Sequence, residues 1–318
     1  MGCVAVGRTS IRRGKPMSTR APVLCLIKTP HPLMSASLAA YDVRTEPGPG
    51  IRAVVTSSFD GIDASTMNLL PDLALVAQVG VGYDGVDVAH ALAKGVAVTN
   101  TPDVLTDDVA DLAIALILAV YRKIPAYDTY VRRGDWATKG YPPLTRRLSG
   151  RSMGILGLGR IGLAIARRAE PFGLDIAYHS RRPRDDVAYR YAADPVALAA
   201  SVDILVVATA GGADTAKLVD KMVIEALGPD GVLINIARGS VVDETALVAA
   251  LLDGRLGGAG LDVFAGEPNV PEALLTCENV VLQPHQGSAT EETRIAMNQL
   301  TLDNLAAFFA GKPLLTPI

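Results

Sequence analysis

Arg238, Glu267 and His285 each close a short apolar run: VLINIAR, GAGLDVFAGEP and NVVLQPH. Runs of this kind read as buried parallel strands. Open α/β sheets take ligands at the carboxyl ends of their strands, so a cation, a carboxylate and an imidazole at three such ends point to one cleft. A guanidinium grips a carboxylate and polarises the adjoining carbonyl through its planar fork. An imidazole titrates near neutrality and can protonate that carbonyl oxygen. A carboxylate on its far nitrogen orients the ring and favours its charged form. This is equipment for reducing a small 2-keto acid by hydride transfer. Singly, the three read as an ion pair, a strand histidine and a turn before Pro268; together they read as a site.

A hydride carrier needs its own seat. Gly157-Leu158-Gly159-Arg160-Ile161-Gly162 follows an apolar strand and opens an amphipathic helix. Gly157 permits the tight turn, Gly159 lets backbone approach a pyrophosphate, and Gly162 lets helix and strand close up. The helix N-terminus then offers N–H groups to phosphate. About twenty residues on, an NAD enzyme usually has an acid for the ribose. Here the sequence is Tyr178-His179-Ser180-Arg181-Arg182-Pro183. A hydroxyl and two guanidiniums suit a 2′-phosphate, which favours NADPH with NADH as the lesser cofactor. The other reading of Ser180–Arg182 is a solvated basic loop.

Elements must bring these pieces together. Apolar strands at Val23–Lys28, Ala53–Thr56, Ala74–Val79 and Ala97–Thr99 alternate with helical segments, the pattern of a parallel sheet. A long helix is expected from Asp107 to Arg132, with Thr106 as N-cap and a break or kink at Pro125. Residues 134–150 read as an exposed excursion. Strands at 153–156, 175–178, 204–208, 232–236, 259–263 and 280–282 form a second α/β unit. The last helix, 291–309, returns to the first. The fold class is therefore α/β, with two parallel-sheet domains of Rossmann-like or flavodoxin-like type and the cleft between them. The substrate domain is discontinuous, 21–102 and 288–318, and the dinucleotide-binding Rossmann domain is 103–287.

At 318 residues, 49% hydrophobic and 20% charged, the chain can bury two cores. Its net charge of −3 argues against nucleic acid as a partner. Cys3, Cys25 and Cys277 are scattered and suit a reducing, cytoplasmic setting. The four histidines have no metal-ligand spacing, and no membrane span is expected. Arg8, Arg12, Arg13, Lys15 and Arg20 precede the first acid, Asp42. Such a start suits either a transit peptide or an overlong, disordered extension over 1–20 with Met17 as initiator. The second reading is preferred.

From about residue 22 onward the chain resembles the D-isomer-specific 2-hydroxyacid dehydrogenases. VGVGYDGVD (79–87), TPDVLTDDVADLAIAL (101–116), GILGLGRIG (154–162), INIARGSVVDE (234–244), GAGLDVFAGEP (258–268) and Pro284-His285 carry the resemblance. It implies that Arg238, Glu267 and His285 are the catalytic residues. It places Val81 and Gly82 in the loop whose N–H groups hold the substrate carboxylate, and Asp262 beside the nicotinamide carboxamide. Thr106, Thr209, Ile236, Ala237 and Gly287 match positions along the cofactor. Within the family the chain looks most like the NADPH-dependent glyoxylate/hydroxypyruvate reductases. Trp136 resembles a tryptophan that reaches the partner's active site in a homodimer. Two departures stand out: Ala210-Gly211-Gly212-Ala213 replaces a usual proline and threonine, and Gln286 replaces an apolar residue. Alternatives are an NAD-dependent dehydrogenase of larger acids and a cofactor-sensing binding protein on the same fold. A formate-type dehydrogenase is disfavoured, since that subgroup has an amide where Glu267 stands.

Overall fold

The computed structural model describes residues 20–318. The expected extension over 1–20 lies outside them, apart from Arg20, whose guanidinium donates to the Ala39 carbonyl at 2.7 Å. The chain begins β1 (Pro22–Cys25), α1 (Pro32–Leu38), β2 (Asp42–Arg44), β3 (Ala53–Ser57), α2 (Ala64–Asn68), β4 (Leu75–Val79), α3 (Val88–Ala93), β5 (Ala97–Thr99). Its five strands pair in parallel in the order β2-β1-β3-β4-β5. β3 and β4 are buried along nearly their whole length, as strands covered by helices on both faces must be. The edge strand β2 was not expected; a single Val43 between Asp42 and Arg44 leaves no apolar pattern to read.

Three helices follow: α4 (Thr106–Arg122), α5 (Ile124–Arg132) and α6 (Asp135–Lys139). The expected break comes two residues before Pro125. Lys123 takes a left-handed conformation (φ 50°) and ends α4, and Pro125 sits in the first turn of α5, where its missing N–H costs nothing. Thr106 is the first helical residue rather than the cap. Leu105 holds the cap position and makes no side-chain cap bond.

The second sheet is built from β6 (Ser152–Leu156), α7 (Arg160–Ala169), β7 (Asp175–His179), β8 (Arg190–Tyr191), α8 (Pro195–Ala200) and β9 (Ile204–Val207). It continues through α9 (Lys221–Leu227), β10 (Val232–Asn235), α10 (Glu244–Leu252), β11 (Gly258–Leu261), α11 (Glu272–Leu275) and β12 (Val280–Leu282). Its seven strands run in parallel in the order β12-β11-β10-β9-β6-β7-β8. Strand order reverses beside β6, so the glycine loop after β6 lies at the switch point where such sheets bind ligands. α4 packs against α7, β10 and β11. Fully buried alanines on both helices, Ala110 and Ala113 against Ala166 and Ala169, allow that close approach. Arg168 of α7 reaches back to Asp111 (2.5 Å) and Asp107 (2.8 Å) on α4.

Finally α12 (Glu291–Phe309) packs on β4 and α1, so the end of the chain rejoins the first sheet. Thr316 donates to the Asn100 carbonyl at 2.6 Å and fastens the closing segment beside β5. Among the described residues, no helix is long and apolar enough to cross a membrane. Cys25 and Cys277 are free thiols.

Candidate active site

A cleft of about 870 Å³ opens between the two sheets. Arg238 enters it from the turn after β10. Its guanidinium contacts the loop after β4 so closely that a Cβ on Gly82 would lie 1.6 Å from Nη2. A side chain there would push the guanidinium aside. Arg238 Nε donates to both carboxylate oxygens of Asp84 (3.1 and 3.2 Å), and Nη1 donates to the Ala237 carbonyl (2.8 Å). Asp84 was not singled out from the sequence, although it stands within the quoted VGVGYDGVD. Gly211 serves the same contact: a side chain there would meet Arg238 Cγ at 2.7 Å and Asp84 at 3.2 Å. The unusual Ala210-Gly211 pair thus makes room for this ion pair.

The loop at Val81 and Gly82 is held by its carbonyls. Asn100 Nδ2 donates to the Val81 carbonyl at 2.9 Å. Ser58 Oγ donates to the Gly82 carbonyl at 2.9 Å, and Gln78 Nε2 donates to the same oxygen. Among the described residues, the Val81 and Gly82 N–H groups make no bond of their own. Asn100, Ser58 and Gln78 were all missed, because a lone polar residue at a strand end carries no motif.

His285 and Glu267 meet as a pair. Nδ1 of His285 lies 2.8 Å from Glu267 Oε2, and the other carboxylate oxygen accepts from the Phe264 N–H at 2.9 Å. Both side chains are about a quarter exposed, 24% each. Burial alone would raise the Glu267 carboxyl. The His285 hydrogen bond, the Phe264 N–H and the charges of His285 and Arg238 outweigh it, holding the group below its ordinary value. With Nδ1 bound to the carboxylate, Nε2 is the nitrogen left to act on a ligand. The Glu267–Pro268 peptide bond is cis. Phe59 sets its ring edge-on to the imidazole, 4.8 Å between centroids.

His285 has φ 55°, a left-handed conformation that a β-carbon disfavours. Asp262 over-determines it. The His285 N–H donates to the Asp262 carbonyl (2.8 Å), and the buried carboxylate accepts from the Gln286 (2.6 Å) and Gly287 (2.9 Å) N–H groups. Gln286 itself is exposed and folds back onto the Pro284 carbonyl, away from the cleft.

The glycine loop shows three separate needs. Gly157 has φ 100° and lies against the Thr209 backbone. A methyl group on Gly162 would come within 2.1 Å of the Gly157 carbonyl oxygen. Around Gly159 there is nothing within 4 Å, and its φ of −77° suits any residue. No protein atom requires glycine at that position. The space above the α7 N-terminus fits the close approach of a pyrophosphate. Gly159, Arg160 and Ile161 line the cleft, together with Thr106, Thr209, Ile236, Ala237 and Gly287. Gly157, Leu158 and Gly162 shape the loop from behind. Ser180 Oγ accepts from the Leu158 N–H at 3.1 Å, which leaves its own proton to donate outward. Arg181 and Arg182 are exposed, whereas Arg184 is taken by Asp186 and the Leu158 carbonyl. Trp136 lies away from this chain's cleft, with Tyr141 5.9 Å from its ring. No trio of His, Cys, Asp or Glu among the described residues could hold a metal ion.

Two parallel sheets, a dinucleotide loop at a switch point and an Arg–Glu–His cleft define an NAD(P)-dependent dehydrogenase. The chain belongs to the D-isomer-specific 2-hydroxyacid dehydrogenases, whose NAD binding domain matches residues 114–287. A hydroxyphenylpyruvate reductase of Plectranthus scutellarioides is 56% identical over 268 residues, 84% of this chain and 85% of the relative. Glyoxylate/hydroxypyruvate reductase A of Arabidopsis thaliana is 55% identical over the same shares, 84% and 85%. An NADPH-dependent glyoxylate/hydroxypyruvate reductase from Sinorhizobium meliloti, solved with NADP and malonate, superposes with a TM-score of 0.90. It is 46% identical and covers 94% of this chain and 97% of that one.

The two glycines separate packing from binding. Gly162→Ala should lower stability by about 1–3 kcal/mol, the range for overpacking. Gly159→Ala should unfold like the parent chain yet bind dinucleotide about tenfold or more weakly. Denaturant midpoints and a cofactor titration check this. Equal loss of stability in both variants would remove the argument from Gly159.

Proposed function

We propose that the protein reduces glyoxylate, hydroxypyruvate or a related small 2-keto acid to the D-2-hydroxy acid, using NADPH in preference to NADH. One observation carries this reading. Arg238, the unengaged N–H groups of Val81 and Gly82, and a carboxylate-bound His285 belong to a single cleft that runs on to the glycine loop. Domain roles follow: residues 21–102 and 288–318 carry the substrate loop, and 103–287 carry the cofactor seat.

Val81 and Gly82 N–H groups and Arg238 hold the substrate carboxylate, and Arg238 draws electron density toward the carbonyl oxygen. His285 Nε2 keeps the proton that this oxygen takes up. Glu267, ionised and bound to Nδ1, orients the ring and stabilises its positive charge. Bound nicotinamide supplies the hydride. The α7 N-terminus at Gly159, with Arg160 and Ile161, would hold its pyrophosphate, and Asp262 and Thr106 would face the nicotinamide end.

The chemistry has a direct test in kcat/KM. His285→Ala and Arg238→Ala should each lose about a hundredfold or more, the lower range for an acid catalyst. A loss of tenfold or less in His285→Ala sinks the assignment. The lowered Glu267 value keeps its carboxylate charged across neutral pH. Its support of the fold is therefore present above the ordinary carboxylate range and fades as pH falls through the lowered value. In Glu267→Gln that support is absent at every pH.

The cofactor preference is supported by Ser180, whose hydroxyl proton is free to donate beside the loop, and by Arg181 and Arg182. Neither arginine has an ion pair among the described residues. The parent chain should show higher kcat/KM with NADPH than with NADH. Arg181→Ala combined with Arg182→Ala should cut that ratio about tenfold or more. A parent chain that favours NADH overturns this part of the reading. Because one relative acts on hydroxyphenylpyruvate, that acid belongs in the same assay beside glyoxylate and hydroxypyruvate.

A homodimer is inferred from the surface that follows α4. Ile124, Val131, Trp136, Tyr141 and Leu144 expose 50–98% of their area along α5, α6 and the next loop. So many exposed large apolar side chains in one stretch of chain ask for a partner surface. Trp136 is then placed to meet the other chain. Light scattering should give twice the mass of one chain; a monomer at micromolar concentration refutes the pairing. Free Cys25 and Cys277 suit a cytoplasmic setting.

A further inference from the structure

Seven charged side chains, His285 included, line the cleft, and six have partners. Arg160 pairs with Asp103 at 2.9 Å. Arg238 pairs with Asp84, His285 with Glu267, and Asp262 with two backbone N–H groups. The seventh is Arg294, at the end of the first turn of α12. Among the described residues its guanidinium has no hydrogen bond, ion pair or ring contact. The neighbouring acids Glu291 and Glu292 are exposed and do not pair with it. Burial pushes Arg294 below the ordinary arginine value, and no charge offsets this. A half-buried cation without a partner is costly to keep, and fold stability gives no reason for it. Its place in the cleft gives one: it waits for an anion.

The substrate's C1 carboxylate is already provided for. Arg238 and the Val81 and Gly82 N–H groups form one constellation at Gly82. Arg294 comes from a separate element, α12, and lines the same cleft as His285, Ser288 and Met297. We propose that Arg294 is a second anion subsite, which takes a carboxylate at the far end of the substrate, so that 2-keto dicarboxylic acids are substrates beside glyoxylate. This rests on the 2-keto acid reductase reading above.

The test compares the parent chain, Arg294→Gln and Arg294→Lys on glyoxylate and on 2-keto dicarboxylates of three to five carbons. In Arg294→Gln the ratio of kcat/KM for dicarboxylate over glyoxylate should fall about tenfold or more, mainly through KM. Arg294→Lys should recover much of it. An unchanged ratio overturns the proposal, as does a parent chain that reduces glyoxylate but no dicarboxylate. Equal losses on both acids place Arg294 on the C1 carboxylate and also overturn it. Thermal shift reads the subsite without turnover: D-malate should raise the parent Tm more than glycolate does, and Arg294→Gln should remove that excess. If the parent chain reduces no 2-keto acid, the functional reading fails, while the malate shift still tests Arg294. Arg294→Gln should unfold no earlier than the parent; a marked fall in its Tm would show a structural arginine and overturn the subsite.

Discussion

The contact of Arg238 with Gly82 ties the two sheets into one site. The two residues follow strands of separate sheets, β4 and β10, and their atoms approach so closely that a side chain at position 82 would displace the guanidinium. Once that contact is fixed, much else follows. Asp84 must supply the countercharge, Gly211 must give way on the other side, and Val81 must turn its carbonyl toward Asn100. A planar cation pressed against a peptide loop leaves two kinds of donor, guanidinium and backbone N–H, side by side in the cleft.

The second constraint is how an imidazole comes to line the same cleft. His285 could not hold a left-handed backbone unaided. Asp262 holds it from one side by three backbone hydrogen bonds, and Glu267 holds its ring from the other. The acidic residues near the cleft thus do different work: Asp84 balances a charge, Asp262 holds backbone, and Glu267 holds a ring. Arg294 stands outside this scheme of mutual satisfaction.

Both parallel sheets were legible in the sequence, because doubly covered strands are apolar along their whole length. β3, β4, β9 and β10 announce themselves. The edge strands β2 and β8 do not, since an edge needs few apolar residues. The helix break near Pro125 was readable, but its placement at Lys123 was not, because proline is at ease in a first helical turn. The trio was legible through the strand ends that carry it. Asp84, Asn100, Ser58 and Gln78 were not, because their work is done across chain separations of four to more than a hundred residues and leaves no local spacing. Arg294 was hidden for another reason: a missing partner can be recognised only after every other charge in the cleft has been matched.

One carboxylate has a consequence of its own. Both oxygens of Asp262 already hold the backbone just after His285, and the residue also lines the cleft. A ligand that draws on Asp262 therefore tugs the same short loop that aims the imidazole. If the dinucleotide is such a ligand, its loading and the aim of the imidazole become one mechanical event.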